Sequence, residues 1–543
     1  MEAHSISFTS ASQGNTSRIG VDLKAHYRYT AVELDDTCVS EEMNMSLRIG
    51  KRRAKIVDRR PHVGIIGAGL AGLRAADVLL QHNFQVTLIE GRNRVGGRVH
   101  QAALPNGRLV DAGPNWIHGT DNNPILGLAK ETNTTAGSFN RSSVVSETGQ
   151  LLSPKDGAFY SDMMWDIIGA AFSYSNQHSA DIDPQESLWQ FFEREVSRRV
   201  PQDSSDSDRR QKILYQLAET WGAFVGSHVR KQSLKFFWLE ECIEGENLLC
   251  EDTYQKILGA IAKPAMEGAE IKYKTVIRNI QSTCDDGDQL QVHTMEEEKF
   301  EFDEVVVTTP LGWLKQHPEA FNPPLPSRLR EAIKSIGYGC LEKVYISFPK
   351  AFWHPESGDR IVEGFIQMLS PAYAADSNPR RWNQEIVELA SLSAAASQPT
   401  LLFYMYGQQS AYITGEVARI PTKEKQEAFL YEWFKPYYSK LPFYDERSPA
   451  CQPSACFATE WLQDELAGNG SYSNFQVGLQ EGDKDVEIMR DGLPDRGLWF
   501  AGEHTAPFVA LGTVTGAYWS GESVGKRIAQ AYCRGVDGVT ELK

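Results

Sequence analysis

Six residues constrain this chain more than any other stretch of its length. Gly67-Ala68-Gly69-Leu70-Ala71-Gly72 follows the short apolar run Val63-Gly64-Ile65-Ile66 and opens a segment, Leu70–Leu80, with Ala, Leu and Val at helical spacing. A second apolar run, Gln85-Val86-Thr87-Leu88-Ile89, comes next and ends at Glu90. The pattern predicts strand, tight turn, helix and strand, a βαβ unit of about thirty residues. In such a unit the first glycine makes the turn, the second lets backbone approach a pyrophosphate, and the third lets helix pack on strand. The helix start offers unpaired N–H groups to phosphate. Glu90, closing the second strand, stands where a carboxylate accepts hydrogen bonds from an adenosine ribose. The segment therefore predicts a dinucleotide site.

The residues just after it narrow the choice. Arg94-Val95-Gly96-Gly97-Arg98 places two glycines and two arginines directly beyond Glu90. A nicotinamide enzyme has no need of them. Glycines permit another close backbone approach, and arginines give charge-assisted bonds to phosphate or flavin oxygens.

The stretch Gly67–Arg98 resembles the flavin-containing amine oxidase family, which includes monoamine oxidases, polyamine and spermine oxidases, and flavin-type histone lysine demethylases. The resemblance runs over roughly residues 60–535, with specific blocks at both ends and a looser middle. Asp111-Ala112-Gly113-Pro114-Asn115-Trp116-Ile117-His118-Gly119 is similar to the family's stretch along the flavin ring, and its Trp-Ile-His-Gly form is most like polyamine and spermine oxidases. Thr308-Thr309-Pro310-Leu311-Gly312-Trp313-Leu314 is similar to a strand-end motif of the family. The resemblance implies FAD as cofactor. It implies contacts to it from Gly67, Gly69, Leu70, Ala71, Gly72, Glu90, Arg92, Gly97, Arg98, Asn115, Trp116, Val276 (backbone to adenine), Trp461, Glu503, Thr513 and Val514. It implies that Lys343, in Leu341-Glu342-Lys343-Val344, is the lysine near flavin N5, and that His118 touches substrate. Read from pattern alone, Lys343 lies in an alternating strand and would face solvent; a cation held near N5 would instead help exchange charge with oxygen or hold a reacting water.

Three departures from the family pattern bear on substrate. The last block, Ala506-Pro507-Phe508-Val509-Ala510-Leu511-Gly512-Thr513, lacks the usual aromatic wall at its usual place, leaving Phe508, another residue or an aliphatic wall to serve. Thr515 replaces the usual histidine before the last glycine. Gly470-Ser471-Tyr472-Ser473 lacks the cysteine that binds flavin covalently in monoamine oxidases, so non-covalent FAD is expected.

Charge and cysteine usage exclude other classes. With 71 acidic against 55 basic residues and a net charge of −16, a duplex-binding role is not expected, because neutralising phosphate needs Lys and Arg. The eight cysteines are scattered, with neither a zinc spacing nor a disulfide framework, so no metal and a reducing compartment are expected. No apolar stretch reaches ~18 residues and no signal peptide opens the chain, so no membrane partner is expected and the location is read as cytoplasmic, with nuclear or other intracellular sites open. The run Lys51-Arg52-Arg53-Ala54-Lys55 reads as a solvated basic stretch more than as a nuclear signal.

Nucleotide-type α/β signals at both ends and in the middle, separated by other material, predict two interleaved domains. The expected fold class is α/β: a doubly wound, Rossmann-type FAD-binding domain from 61–132, 246–315 and 452–535, interleaved with an α+β substrate domain from 133–245 (helical) and 316–451 (mixed sheet). Residues 1–60 read as a polar extension and 536–543 as a polar tail. The active site is expected in the crevice between the domains. The implied reaction is hydride transfer from the carbon next to an amine nitrogen to flavin, hydrolysis of the imine, and reoxidation by O2 to hydrogen peroxide. A polyamine or related secondary amine is the first choice of substrate, ahead of a monoamine or specialised-metabolite amine and of a histone tail; the sequence leaves the oligomeric state open. Glu240, Glu241, Glu244 and Glu246 cluster before the second FAD segment and are candidates for a carboxylate at the channel mouth, against the alternative of a solvated acidic loop.

Overall fold

The computed structural model describes residues 59–139, 141–202, 206–282, 289–358 and 360–532. The basic run at 51–55, nearly all of the N-terminal extension and the C-terminal tail lie outside them. All described residues belong to one unit, Ile56–Lys543.

The predicted βαβ unit forms as read: strand His62–Ile66, helix Leu70–Gln81, strand Gln85–Ile89. The helix buries Leu70, Ala71, Leu73, Ala75, Ala76, Val78 and Leu79, and their small size brings it close to the sheet. Five strands, all parallel, lie in the order Glu270–Lys272, Gln85–Ile89, His62–Ile66, Glu304–Val307, Leu498–Phe500. Numbered along the chain this is 3-2-1-4-5, the dinucleotide-binding order, and its direction reverses between His62–Ile66 and Glu304–Val307. The strands come from the three sequence segments assigned to the FAD domain.

The expectation of a doubly wound fold holds for this order and not for both coats. One face carries helices Leu70–Gln81, Gln255–Gly268 and Val514–Ala531, packed around Val63, Ile65, Val86, Leu88, Val306 and Trp499. The other face carries a four-stranded sheet built mainly from 277–302, together with shorter helices, over Ile66, Ile89, Val305, Val307 and Phe500. The link from the third to the fourth parallel strand is this antiparallel meander in place of a helix. Gly64 lies directly under the Phe302 ring, where a side chain would collide with it.

A six-stranded mixed sheet forms the second half: Ala455–Ala458, Leu341–Ser347, Thr400–Tyr406, Gln384–Glu388, Phe365–Met368 and Ser142–Val145. Its first strand lies in the segment that the sequence reading gave to the FAD domain from 452 onward; pairing with Val344–Ser347 puts it in the other sheet. One face, with Val344, Ile346, Phe403, Met405 and Ile366, is sealed by the helices Gly407–Arg419 and Lys423–Tyr438. The opposite face carries Lys343, Tyr345, Leu402, Tyr404 and Phe365.

The region 133–245, expected to be helical, holds a 25-residue helix, Pro154–His178, followed by shorter ones. Leu188–Arg199 begins at Ser187 with a capping box to Gln190. Two further helices, Ser207–Thr220 and Gly222–Val225, follow one another, parted at Trp221. Among the described residues no helix is long and apolar enough to cross a membrane, and no group of His, Cys, Asp and Glu could hold a metal.

Candidate active site

At the strand-to-helix turn the backbone is shaped for a ligand. Gly67 takes φ +104°, where an L side chain is strained, and a Cβ on Gly72 would strike the Gly67 carbonyl. Gly69 has nothing within 4 Å of where a Cβ would stand, and it starts the helix without a side-chain cap. The first turn thus has no side-chain acceptor for its backbone N–H groups, which makes it a cradle for an anion. Gly97, at φ +57°, puts backbone against Gly69.

Glu90 is buried and accepts from the Ala68 N–H (2.7 Å) and the Arg92 N–H (2.8 Å). Its carbonyl takes the Thr275 N–H at 2.9 Å, which sets Val276 beside it, while the Val276 carbonyl is held by the Met295 N–H. The Arg92 guanidinium pairs with Asp464 at 2.8 Å.

Further along, Arg98 donates to Glu503 (3.0 Å), the Ser471 carbonyl (2.6 Å) and the Tyr338 hydroxyl (3.3 Å). Burial works to raise the Glu503 carboxyl, but Arg98, His504 and the Ser473 hydroxyl outweigh it and hold it below the usual range. His504 is buried with neither ring nitrogen bonded, and desolvation pushes it down to about 4. Thr513 caps the last helix through the Gly516 N–H at 3.0 Å, and Val514 is that helix's first residue. A free helix N-terminus, an open cradle and an unbonded buried histidine in the reversal crevice fit an extended dinucleotide that brings its own donors and acceptors.

At the other end Lys343 is 5 % exposed. The expectation from its strand pattern, a solvent-facing side chain, fails because this face of the sheet packs against the turn 111–117. The Lys343 ammonium donates to the Gly113 carbonyl and the Asn115 side-chain oxygen. Desolvation pushes the lysine down, and the carboxylates of Asp111 and Glu342 pull it back up. Asn115 also donates to the Tyr345 hydroxyl and accepts from Tyr404 (both 3.1 Å), and the Trp116 indole N–H donates to the Tyr404 hydroxyl at 3.2 Å. Trp116 lies parallel to Phe365 at 5.4 Å. Trp461 fixes the same turn by donating to the Ala112 carbonyl at 3.1 Å.

A model of the family described as flavin containing amine oxidoreductase matches residues 70–529. The chain belongs to that family. As a flavin amine oxidoreductase it uses FAD, and the cradle described above is where its residues would hold it. Human lysine-specific histone demethylase 2 is 26% identical over 482 residues, covering 86% of this chain and 53% of that protein. Human peroxisomal N(1)-acetyl-spermine/spermidine oxidase is 25% identical over 492 residues, covering 82% and 90%. The chain thus spans about half the length of the demethylase and nine-tenths of the polyamine enzyme. A redesigned putrescine oxidase shares the fold, with a TM-score of 0.64 at 17% identity over 87% of this chain and 99% of that one.

The flavin amine oxidoreductase fold brings together most of the residues singled out from sequence, with instructive exceptions. His118 hydrogen-bonds with Asn247 through its ring, its Nδ1 has no partner, and burial lowers its pKa. Its carbonyl is held by Asn123, which Thr515 bonds at 3.0 Å. Phe508, half-buried, packs edge-on against Trp238 and lies under the Arg490 guanidinium, at the edge of the core beneath the parallel sheet. Of the acidic cluster, Glu244 and Glu246 are exposed, Glu241 accepts from Asn176, and Glu240, half-buried, accepts from Gln232 and the Phe475 N–H and is pushed up to about 7 by desolvation. Sequence reasoning missed Tyr404, Phe365 and Glu385. The alternation Leu402, Tyr404, Tyr406 in Thr400–Tyr406 was the available signal.

Proposed function

We propose that this protein is an FAD-dependent amine oxidase that takes hydride from the carbon next to an amine nitrogen, acting on a polyamine or related secondary amine. The observation that carries the reading is the buried Lys343 ammonium, held by two neutral oxygens where the six-stranded sheet meets the 111–117 turn. FAD, when bound, supplies the hydride acceptor and the centre that oxygen reoxidises with release of peroxide.

The chain's own residues do the rest. Trp116, Phe365 and Tyr404 form an apolar wall that excludes water. Hydride loss needs a lone pair on the reacting nitrogen, and an alkyl ammonium in water has a pKa near ~10.4; desolvation against aromatic rings favours its neutral form. Lys343, drawn toward neutrality by burial, can hold a water or pass a proton at Nζ. Water then hydrolyses the substrate iminium to a carbonyl compound and a smaller amine.

Similarity to a spermine/spermidine oxidase over 90% of that protein supports the polyamine choice. The test is an amine panel on the purified holoprotein, read by peroxide: spermine, an acetylated polyamine, tyramine, benzylamine and a methylated lysine peptide. The polyamines should be turned over well above benzylamine, with kcat/KM rising with pH as the reacting amine deprotonates. Equal or better turnover of benzylamine or tyramine would replace this substrate class with monoamines.

A further inference from the structure

The strand that carries Lys343 carries a second buried ionisable group. Glu342, its neighbour in Leu341–Ser347, is fully buried. Side chains alternate along a strand. Glu342 therefore turns away from Lys343, toward the helix-covered face it shares with Val344, Ile346 and its register partner Met405. Placing a carboxylate there costs free energy, and burial pushes it up to about 7 against the pull of Thr459, Leu462 and Trp461. A residue placed only to fill this core would be apolar.

The partners of Glu342 show what it holds. Oε2 accepts from the Thr459 hydroxyl and Oε1 from the Leu462 N–H at 2.8 Å, and the Trp461 N–H also bonds the carboxyl. All three are donors, and all belong to the turn 459–462 that follows strand Ala455–Ala458. Two routes lead from this turn to Lys343. By the first, Thr459 grips the lysine's own backbone. Its N–H donates to the Lys343 carbonyl at 2.9 Å, and its hydroxyl oxygen accepts the Lys343 N–H at 2.8 Å. A hydroxyl has one proton; giving it to Glu342 leaves a lone pair for the Lys343 N–H. By the second, the Trp461 indole N–H donates to the Ala112 carbonyl at 3.1 Å. Ala112 sits between Asp111 and Gly113, whose carbonyls both receive the Lys343 ammonium. One carboxylate thus closes a ring of contacts on Lys343, at its backbone and at the oxygens around Nζ.

We propose that Glu342 is a positioning residue for Lys343: it holds the turn 459–462 so that the lysine's backbone and the oxygens around its ammonium keep their places beside the flavin. The proposal rests on the reading that Lys343 serves the flavin, and it deepens that reading. Glu342 acts through these contacts and not by touching the reacting atoms. The task needs an acceptor at both oxygens. Glutamine has one acceptor oxygen, so Glu342→Gln sets an amide NH2 against either the Thr459 hydroxyl or the Leu462 N–H.

The experiment reads Lys343 without an amine. FAD-loaded protein is reduced anaerobically with dithionite and mixed with air-saturated buffer, and the return of yellow absorbance is timed. Wild type, Glu342→Gln, Lys343→Met and the double variant are compared. Glu342→Gln should reoxidise about 10-fold more slowly than wild type, the scale of one lost buried hydrogen bond. In the Lys343→Met background the same change should slow nothing further, because a residue that acts through the lysine has no effect once the lysine is gone. The resting spectrum needs no turnover: Glu342→Gln should move the oxidised flavin's absorption toward that of Lys343→Met, and should not move it when Lys343 is already Met. A merely stabilising role would lower the denaturation midpoint without this dependence on Lys343. A wild-type rate in Glu342→Gln, or equal slowing with and without Lys343, overturns the proposal. If Glu342→Gln does not fold with FAD, two changes at Thr459 decide. Thr459→Val should slow reoxidation, and Thr459→Ser, which keeps the hydroxyl, should recover most of the rate; equal rates for the two overturn the proposal. If Lys343→Met reoxidises as fast as wild type, the lysine has no role to support and the proposal falls. An amine panel that bleaches no flavin would end the amine oxidase reading alone, since dithionite takes the place of the amine here.

Discussion

Glu503 and Glu385 are both buried carboxylates, and the two regions that hold them treat them in opposite ways. Glu503, beside the parallel sheet, faces Arg98 at 3.0 Å and the Ser473 hydroxyl at 2.6 Å, and it is held ionised. Glu385, in the six-stranded sheet, has no cation, and burial pushes it up to about 8. Lys343 repeats the contrast: its ammonium is set against neutral carbonyl and amide oxygens and drawn toward neutrality. Glu503 is settled by its neighbours, whereas Glu385 and Lys343 are shifted toward neutrality, and shifted groups of that kind cluster where chemistry is done.

The largest effect should come from breaking the settled pair. Glu503→Gln strands the Arg98 guanidinium in a partly buried site, and removing one partner of a buried pair costs about 3–5 kcal/mol. We expect the lower end, because the Arg98 side chain keeps 24% of its exposure. Chemical denaturation of the FAD-loaded variant measures it; a change under half that size would mean the pair is not what holds the region.

Lys343→Met should break the shifted side at the level of chemistry. The variant should fold and stay yellow, since the ammonium it loses has no carboxylate within bonding distance among the described contacts. Its turnover should fall by about 100- to 1,000-fold, the scale of removing one preorganised electrostatic group. Anaerobic reduction and aerobic reoxidation are timed separately; wild-type values for both would remove Lys343 from the mechanism.

Glu90→Ala takes away the acceptor of the Ala68 and Arg92 N–H groups. FAD affinity should weaken by ~1–3 kcal/mol. Acid precipitation of wild type should release the flavin into solution; flavin in the pellet would contradict non-covalent binding.

The smallest effect sharpens the contrast. Glu385→Gln should raise stability at pH 7, because keeping the carboxyl neutral in the fold while the unfolded chain ionises it costs free energy that a glutamine does not lose. The carboxyl's folded pKa is raised, so its contribution to stability is full below the unfolded value of about 4.5 and is lost as pH rises through about 8. Glu503, with a lowered folded pKa, gives stability that is present above the unfolded value and lost as pH falls. Wild type should therefore lose stability from pH 5 to 9 more steeply than Glu385→Gln. Parallel curves would mean Glu385 is solvated.

The sequence alone determined the cofactor half. Gly67, Gly69, Gly72 and Glu90 act through backbone geometry within one βαβ unit, and local spacing is enough to specify that. Four of the five parallel strands, at 62–66, 85–89, 304–307 and 498–500, were readable for the same reason: each is a short apolar run bounded by turn residues. Only tertiary structure decided the substrate half. Lys343, Tyr404, Glu385 and Gln367 stand in one row across adjacent strands, drawn from residues up to 61 apart in the chain, and no periodicity within a single strand records its neighbour's register. The exposure of Lys343 went wrong on that account, because the strand shows an alternating pattern while the fold covers both of its faces. The partners of His118 and Phe508, Asn247 and Trp238, come from distant segments that no local motif records. Backbone-built sites are local and legible; side-chain sites built across a sheet exist only once the strands have paired.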